Sequence, residues 1–173
     1  MAISLYDVTV AGYLQTLGAV AGVLDKGLAH CTETGTDPNA LVDVRLVGDM
    51  LPLAFQIWSV QHHSLHAIEG CKAGVFGPPS AMPEMTYADL QKIVSDTQAA
   101  LTKLTPDLVN GLEGRDVVFK LGEFKMPFVA ENFLMSFSIP NFHFHATTTY
   151  DILRSKGVKL GKRDYMGKLR LKV

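Results

Sequence analysis

A chain of 173 residues, with 47% hydrophobic and 19% charged side chains, has the length of one domain and enough apolar material for a core. That composition excludes a disordered chain, and a net charge of −1 excludes a general pull toward nucleic acid or acidic surfaces. Cys31 and Cys71 are too few for a disulfide framework or a cysteine metal cluster, and read as reduced thiols of a cytoplasmic protein.

The N-terminus, MAISLYDVTV, lacks the basic lead and apolar run of a signal peptide. No stretch approaches the roughly 20 apolar residues of a membrane span, so no membrane is expected. The first helix is predicted from residue 4 to about residue 33. Ile3, Tyr6, Val10, Leu14, Leu17, Ala21, Leu24 and Leu28 recur there at helical spacing, and Ser4 with Asp7 forms a capping pattern. Residues 34–39, TGTDPN, read as a loop, and residues 40–48 as a short turn of helix. Asp49 is the expected N-cap of a second helix that reaches residue 70 or 74, with Pro52 in its first turn. Met50, Ala54, Ile57, Trp58, Gln61, Leu65 and Ile68 share one face of it.

Residues 74–83, GVFGPPSAMP, read as a loop. Thr86 caps a third helix with Asp89 at the capping-box position, and the stripe Tyr87, Leu90, Ile93, Val94, Ala100, Leu101 and Leu104 runs to Thr105-Pro106. One further turn fits residues 108–112. The period then changes: DVVFKLGEFKMP, residues 116–127, is a hairpin with Gly122 at the first turn position, which suits a type II′ turn. Residues 131–157 are one long helix interrupted at Pro140 and stopped at Gly157. Beyond Pro140, Phe142, His145, Ala146, Thr149, Ile152 and Leu153 fall inward, and His143, Thr147, Asp151 and Arg154 outward. Residues 158–173 form a basic tail, and eight of the sixteen Lys and Arg residues lie from Arg154 onward. Its cations suit a solvated tail better than a nucleic-acid platform, because only Tyr165 interleaves them. Four helices, the third and fourth joined through a hairpin, make an all-α antiparallel four-helix bundle in a single domain the natural architecture.

The chemistry-bearing residues concentrate on the second and fourth helices. The run Gln61-His62-His63-Ser64-Leu65-His66 places His62 and His66 four apart, a spacing from which two imidazoles can reach one metal. On the wheel Gln61 is nearest the apolar centre, His62 toward an edge, and His63 roughly on the solvent side. Gln61 then needs a partner across the bundle, since an unpaired buried amide costs on the order of 1–3 kcal/mol. His145 is the inward histidine of the fourth helix, and Thr149 can satisfy itself on the His145 carbonyl. His62 is the second-helix histidine expected to meet His145, and imidazoles suit zinc, nickel, copper or iron. Both cysteines sit near helix C-terminal ends, where the dipole opposes a thiolate.

Three stretches carry a resemblance: DMLPLAFQ at 49–56, FKLGEFKMP at 119–127, and IPNFHFHATTTYDILRSKGVKLGKRDYMG at 139–167. They resemble a bacterial and fungal family classed as a domain of unknown function, itself similar to the DinB-like superfamily of four-helix bundles. The likeness implies an up-down-down-up bundle with a long connection between the second and third helices, often a homodimer. It also implies a divalent metal held by one histidine of the second helix and two of the fourth, spaced H-x-x-x-H. His145 matches the first of that pair, Thr149 stands where the second would be, and His62 is the candidate from the second helix.

Two readings follow. In one, a DinB-like bundle binds a small ligand in a polar pocket lined by Gln61, His62, His145 and Thr149, without an intact metal triad. In the other, His62 and His145 hold zinc, nickel or iron in a divalent-metal-dependent enzyme of the thiol-dependent transferase or isomerase type. An anion- or nucleic-acid-binding role for the tail is the weakest alternative.

Overall fold

The computed structural model describes residues 3–172. Its first helical stretch has two parts, α1 (Leu5–Val8) and α2 (Val10–Thr34), parted at Thr9. Ser4 and Asp7 form the expected capping box. Thr9 turns its hydroxyl back onto the Leu5 carbonyl at 2.6 Å. This break shifts the buried face. Leu5, Val10, Tyr13, Leu17, Leu24 and Cys31 are inside, whereas Ile3 and Leu28, expected there, are exposed. Contrary to the absence of any candidate span, residues 5–34 are long and apolar enough to cross a membrane by length and composition, with half of the apolar window buried against the rest of the fold.

The short turn falls at Pro38–Leu41, earlier than expected, with Asp37 as its cap. The second helix is then α3 (Leu53–Gln61), a π turn (His62–His66) and α4 (Ala67–Ala73) in direct succession. Asp49 is not its N-cap; Pro52 holds that position. The helix start is satisfied from outside, because the amides of Leu53 and Ala54 donate to the carbonyls of Val44 and Val42 at 2.9 and 3.0 Å. The helix ends at Gly74, in the left-handed region at φ 72°.

The segment read as a loop contains β1 (Val75–Phe76). Next come α5 (Tyr87–Thr102), with its Thr86–Asp89 capping box, and α6 (Pro106–Asn110). Strands β2 (Asp116–Leu121) and β3 (Phe124–Val129) form the expected hairpin, in which Gly122 takes φ 56°. Strand β1 lies parallel to β2, with Val75 opposite Val118 and Phe76 opposite Phe119. The all-α expectation is therefore corrected: the chain is mostly helical with a three-stranded sheet in the order β1-β2-β3. So short a strand is set by its partner and has no pattern of its own.

The last long stretch is α7 (Ala130–Phe133), a second π turn (Leu134–Ser138) and α8 (Ile139–Ser155). Pro140 comes two residues after the end of that π turn, so the donor it lacks falls where the hydrogen-bond ladder is already irregular. Helix α8 packs on α2 and α3, and α5 packs on α2 and α3, closing a ring of four long helical stretches. The tail is not simply solvated. Its short helix α9 (Lys162–Met166) lies on α2, with Lys26 Nζ 2.6 Å from Asp164 and Gln15 Nε2 donating to the Met166 carbonyl.

Candidate functional site

The two π turns face each other across the seam between the second and fourth helical stretches. A π turn spaces its hydrogen bonds five residues apart instead of four, and such turns concentrate at functional sites. Here each turn supports the other. Ser138 donates its hydroxyl to the His63 carbonyl at 2.6 Å, and the Tyr13 hydroxyl lies 3.1 Å from Ser138 Oγ. Since Ser138 spends its proton on the carbonyl, Tyr13 is the donor to Ser138. All three groups are buried, and burial raises the Tyr13 pKa well above its ordinary value.

The π turn of the second helix carries two adjacent histidines inward, His62 and His63, each only 8% exposed. His63, expected near the solvent side, is the one that faces His145. Their rings are nearly parallel, 11° apart in plane, with centroids 5.8 Å apart. His62 instead stacks on Phe76 at 4.3 Å, and its Nε2 lies 2.9 Å from the Gly77 carbonyl. A carbonyl only accepts, so His62 carries its proton on Nε2.

His145 is half-buried, with Phe55 and Phe144 edge-on to it. Its Nδ1 lies 2.8 Å from Gln56 Oε1. The Gln56 amide is fixed by its own Nε2, which donates to the Leu51 carbonyl at 2.7 Å. Oε1 therefore faces the ring, Nδ1 carries the proton, and Nε2 keeps a lone pair. Gln56 thus holds the place foreseen for Gln61, whose side chain is only partly buried. Trp58 and Leu65 place Gln61 at the centre of the wheel, but both are only half-buried. Thr149 is fully buried and donates to the His145 carbonyl at 2.9 Å.

Burial keeps these imidazoles neutral. It lowers His62 to about 4, against a favourable bond to Gly77, with His66 adding a smaller repulsion. His63 falls to about 3 through burial and then through His62 and His145. His145 falls to about 4 through burial, with His62 adding to the effect. His63 Nδ1 is buried and has no hydrogen-bond partner among the described residues. Cys71, near the same seam, is pushed up to about 12 by burial and then by Glu131, which makes it a poor nucleophile.

The donor set does not fit the three-histidine metal site that the resemblance implies. Thr149 gives its hydroxyl to a backbone carbonyl, and His62 turns its Nε2 to Gly77. Among the described residues no three His, Cys, Asp or Glu side chains are grouped as a metal ion requires. Four residues outside the expected set, Tyr13, Gln56, His63 and Ser138, build the seam. A glutamine flanked by Leu53, Ile57 and Val60 at helical spacing was a readable sign for Gln56.

The family model described as "Domain of unknown function (DUF1993)" matches residues 5–166. The chain belongs to this family. A crystal structure of a DinB family member protein from Shewanella denitrificans is similar to it, with a TM-score of 0.84 and 24% identity over 98% of this chain and 95% of that one. That likeness concerns the fold. No curated protein matches the sequence.

Proposed function

We propose that this DUF1993 chain is an antiparallel, up-down-down-up four-helix bundle that binds a small neutral ligand at His145, without a metal triad. The observation that carries this reading is the fixed tautomer of His145. Leu51 orients Gln56, Gln56 takes the Nδ1 proton, and the half-buried ring is left with an acceptor at Nε2. A neutral O–H or N–H group can donate to it while an apolar body packs on Phe55 and Phe144. A carboxylate or phosphate would set its charge against the lone pair. A homodimer in a reducing cytoplasm accompanies this reading, and the free, buried Cys31 and Cys71 support the compartment.

A second reading is the divalent-metal-dependent enzyme. The stacked pair of neutral imidazoles, His63 and His145, favours it, since metal ligands must be deprotonated. Two measurements separate the readings: elemental analysis of untagged protein purified without chelator, and a titration with phenol followed on the histidine nitrogen resonances. Substoichiometric metal and a phenol-dependent shift of His145 Nε2, absent in His145→Ala, is the expected result. Stoichiometric zinc, nickel or iron, lost in His145→Ala, would overturn the metal-free reading.

A further inference from the structure

The chain beyond α9 runs back along α2 toward its N-terminus. Asp164 meets Lys26, Met166 meets Gln15, and Gly167 packs against Ala19 and the Gln15 carbonyl. Arg170 comes within electrostatic reach of Asp7, whose carboxyl is held low first by Ser4 hydrogen bonds and also by that charge. The segment Lys168-Leu169-Arg170-Leu171-Lys172 then alternates strictly between cations and leucines. In extended backbone such alternation puts the leucines on one face and the cations on the other. The leucine face is largely open in one copy of the chain: Leu169 is 47% and Leu171 73% exposed.

A surface of the opposite character lies beside it. A groove of about 400 Å³ is lined by Ile3, Leu5, Val8 and Met135 together with Glu113 and Glu131, the latter accepting from the Gly114 amide. Ile3 and Met135 are largely exposed. The groove offers apolar side chains and two carboxylates; the tail offers leucines and a row of cations. Tail and groove both lie by the start of the first helical stretch, and a two-fold pairing of copies presents the same two surfaces from each side.

We propose that residues 168–172 of one copy lie in the groove of a second copy, and reciprocally, so that two tails and two grooves make an isologous dimer. Leu169 and Leu171 enter against Ile3, Val8 and Met135, and Arg170 and the flanking lysines meet Glu113 and Glu131. The charges set the pairing and the leucines hold it.

The test uses full-length protein and sedimentation equilibrium, with circular dichroism to confirm that each variant folds. Wild type is expected to be a dimer. Arg170→Glu with Leu171→Asp alters only the tail; Glu113→Lys with Met135→Asp alters only the groove. Each pair is expected to weaken association tenfold or more, on the order of the loss of a few well-placed contacts. Mixing the two variants restores one intact tail–groove pair and should give a mixed dimer, tighter than either variant with itself. A wild type that stays monomeric, or variants that dimerise as wild type does, would overturn the proposal. So would a mixture in which no mixed dimer forms, as when each tail folds into its own groove.

Discussion

Two seams of the molecule solve one problem in different ways: how to bury a tyrosine hydroxyl among helices. Between α2 and α5, Tyr87 donates directly to the Leu24 carbonyl at 2.8 Å, and both helices stay regular. Between the second and fourth stretches, Tyr13 donates to Ser138, Ser138 donates to the His63 carbonyl, and both stretches widen into π turns. In the first seam the hydroxyl ends on the carbonyl of a regular helix. The second uses the same device to hold two π turns, one of which turns His63 toward His145. The difference is whether the buried polar bond ends on a regular helix or on a bulge, where it also sets the direction of the neighbouring side chains.

The sharpest way to separate the seams is acid. His62, His63 and His145 have folded pKa values of about 4, 3 and 4, below the ordinary 6.5. Below pH 6.5 the unfolded chain takes up protons that the folded chain refuses. Stability is therefore full above about pH 6.5 and falls as pH drops toward 4, by on the order of 1 kcal/mol per pH unit for each ring. Urea unfolding at neutral pH and near pH 5 should show this loss. His63→Phe should reduce the slope and leave neutral-pH stability equal or higher, since it removes an orphaned buried nitrogen. An unchanged slope in that variant would mean that the acid response arises elsewhere.

Removing the link between the bulges is the next largest effect. Ser138→Ala strands both the Tyr13 hydroxyl and the His63 carbonyl, at on the order of 2–4 kcal/mol together. Chemical denaturation at neutral pH measures it. The His145 nitrogen resonances should move too, although Ser138 does not touch that ring. A loss below about 1 kcal/mol would mean that the bulges do not depend on this contact.

What could be read from the sequence divides along the same line. The boxes at Ser4–Asp7 and Thr86–Asp89, the Gly122 turn and the stop at Gly157 are fixed by residues within four positions of one another, so local chemistry reveals them. Thr149 is buried and His145 half-buried on the side of α8 that the periodicity predicts, because α8 is regular beyond Pro140. The inward turn of His63 was hidden, because its support is Ser138, 75 residues away. Gln56 has a local signal in Leu53, Ile57 and Val60, but the larger, half-buried Trp58 and Leu65 outweigh it on the wheel. Strand β1 and the docking of α9 on α2 likewise depend on distant partners.

The regular seam can be broken with one methyl group. Gly27 lies within α2 where Tyr87 crosses, and a Cβ there would clash with the Tyr87 hydroxyl and touch Leu153 Cδ2 at 3.4 Å. Alanine in a helix interior is ordinarily worth up to about 1 kcal/mol over glycine. Here the tyrosine is fully buried and bonded to Leu24, so it has no free direction in which to yield. Overpacking costs about 1–3 kcal/mol, and Gly27→Ala is expected to destabilise by a net of about 1–2 kcal/mol. Tyr87→Phe alone forgoes one hydrogen bond, about 1 kcal/mol, because the Leu24 carbonyl is also within a helix. Combined, the two changes should cost less than their sum, since phenylalanine removes the atom that the new methyl meets. Additive costs would mean that the backbone of α2 has moved instead, and that this seam is more pliable than its regular helices suggest.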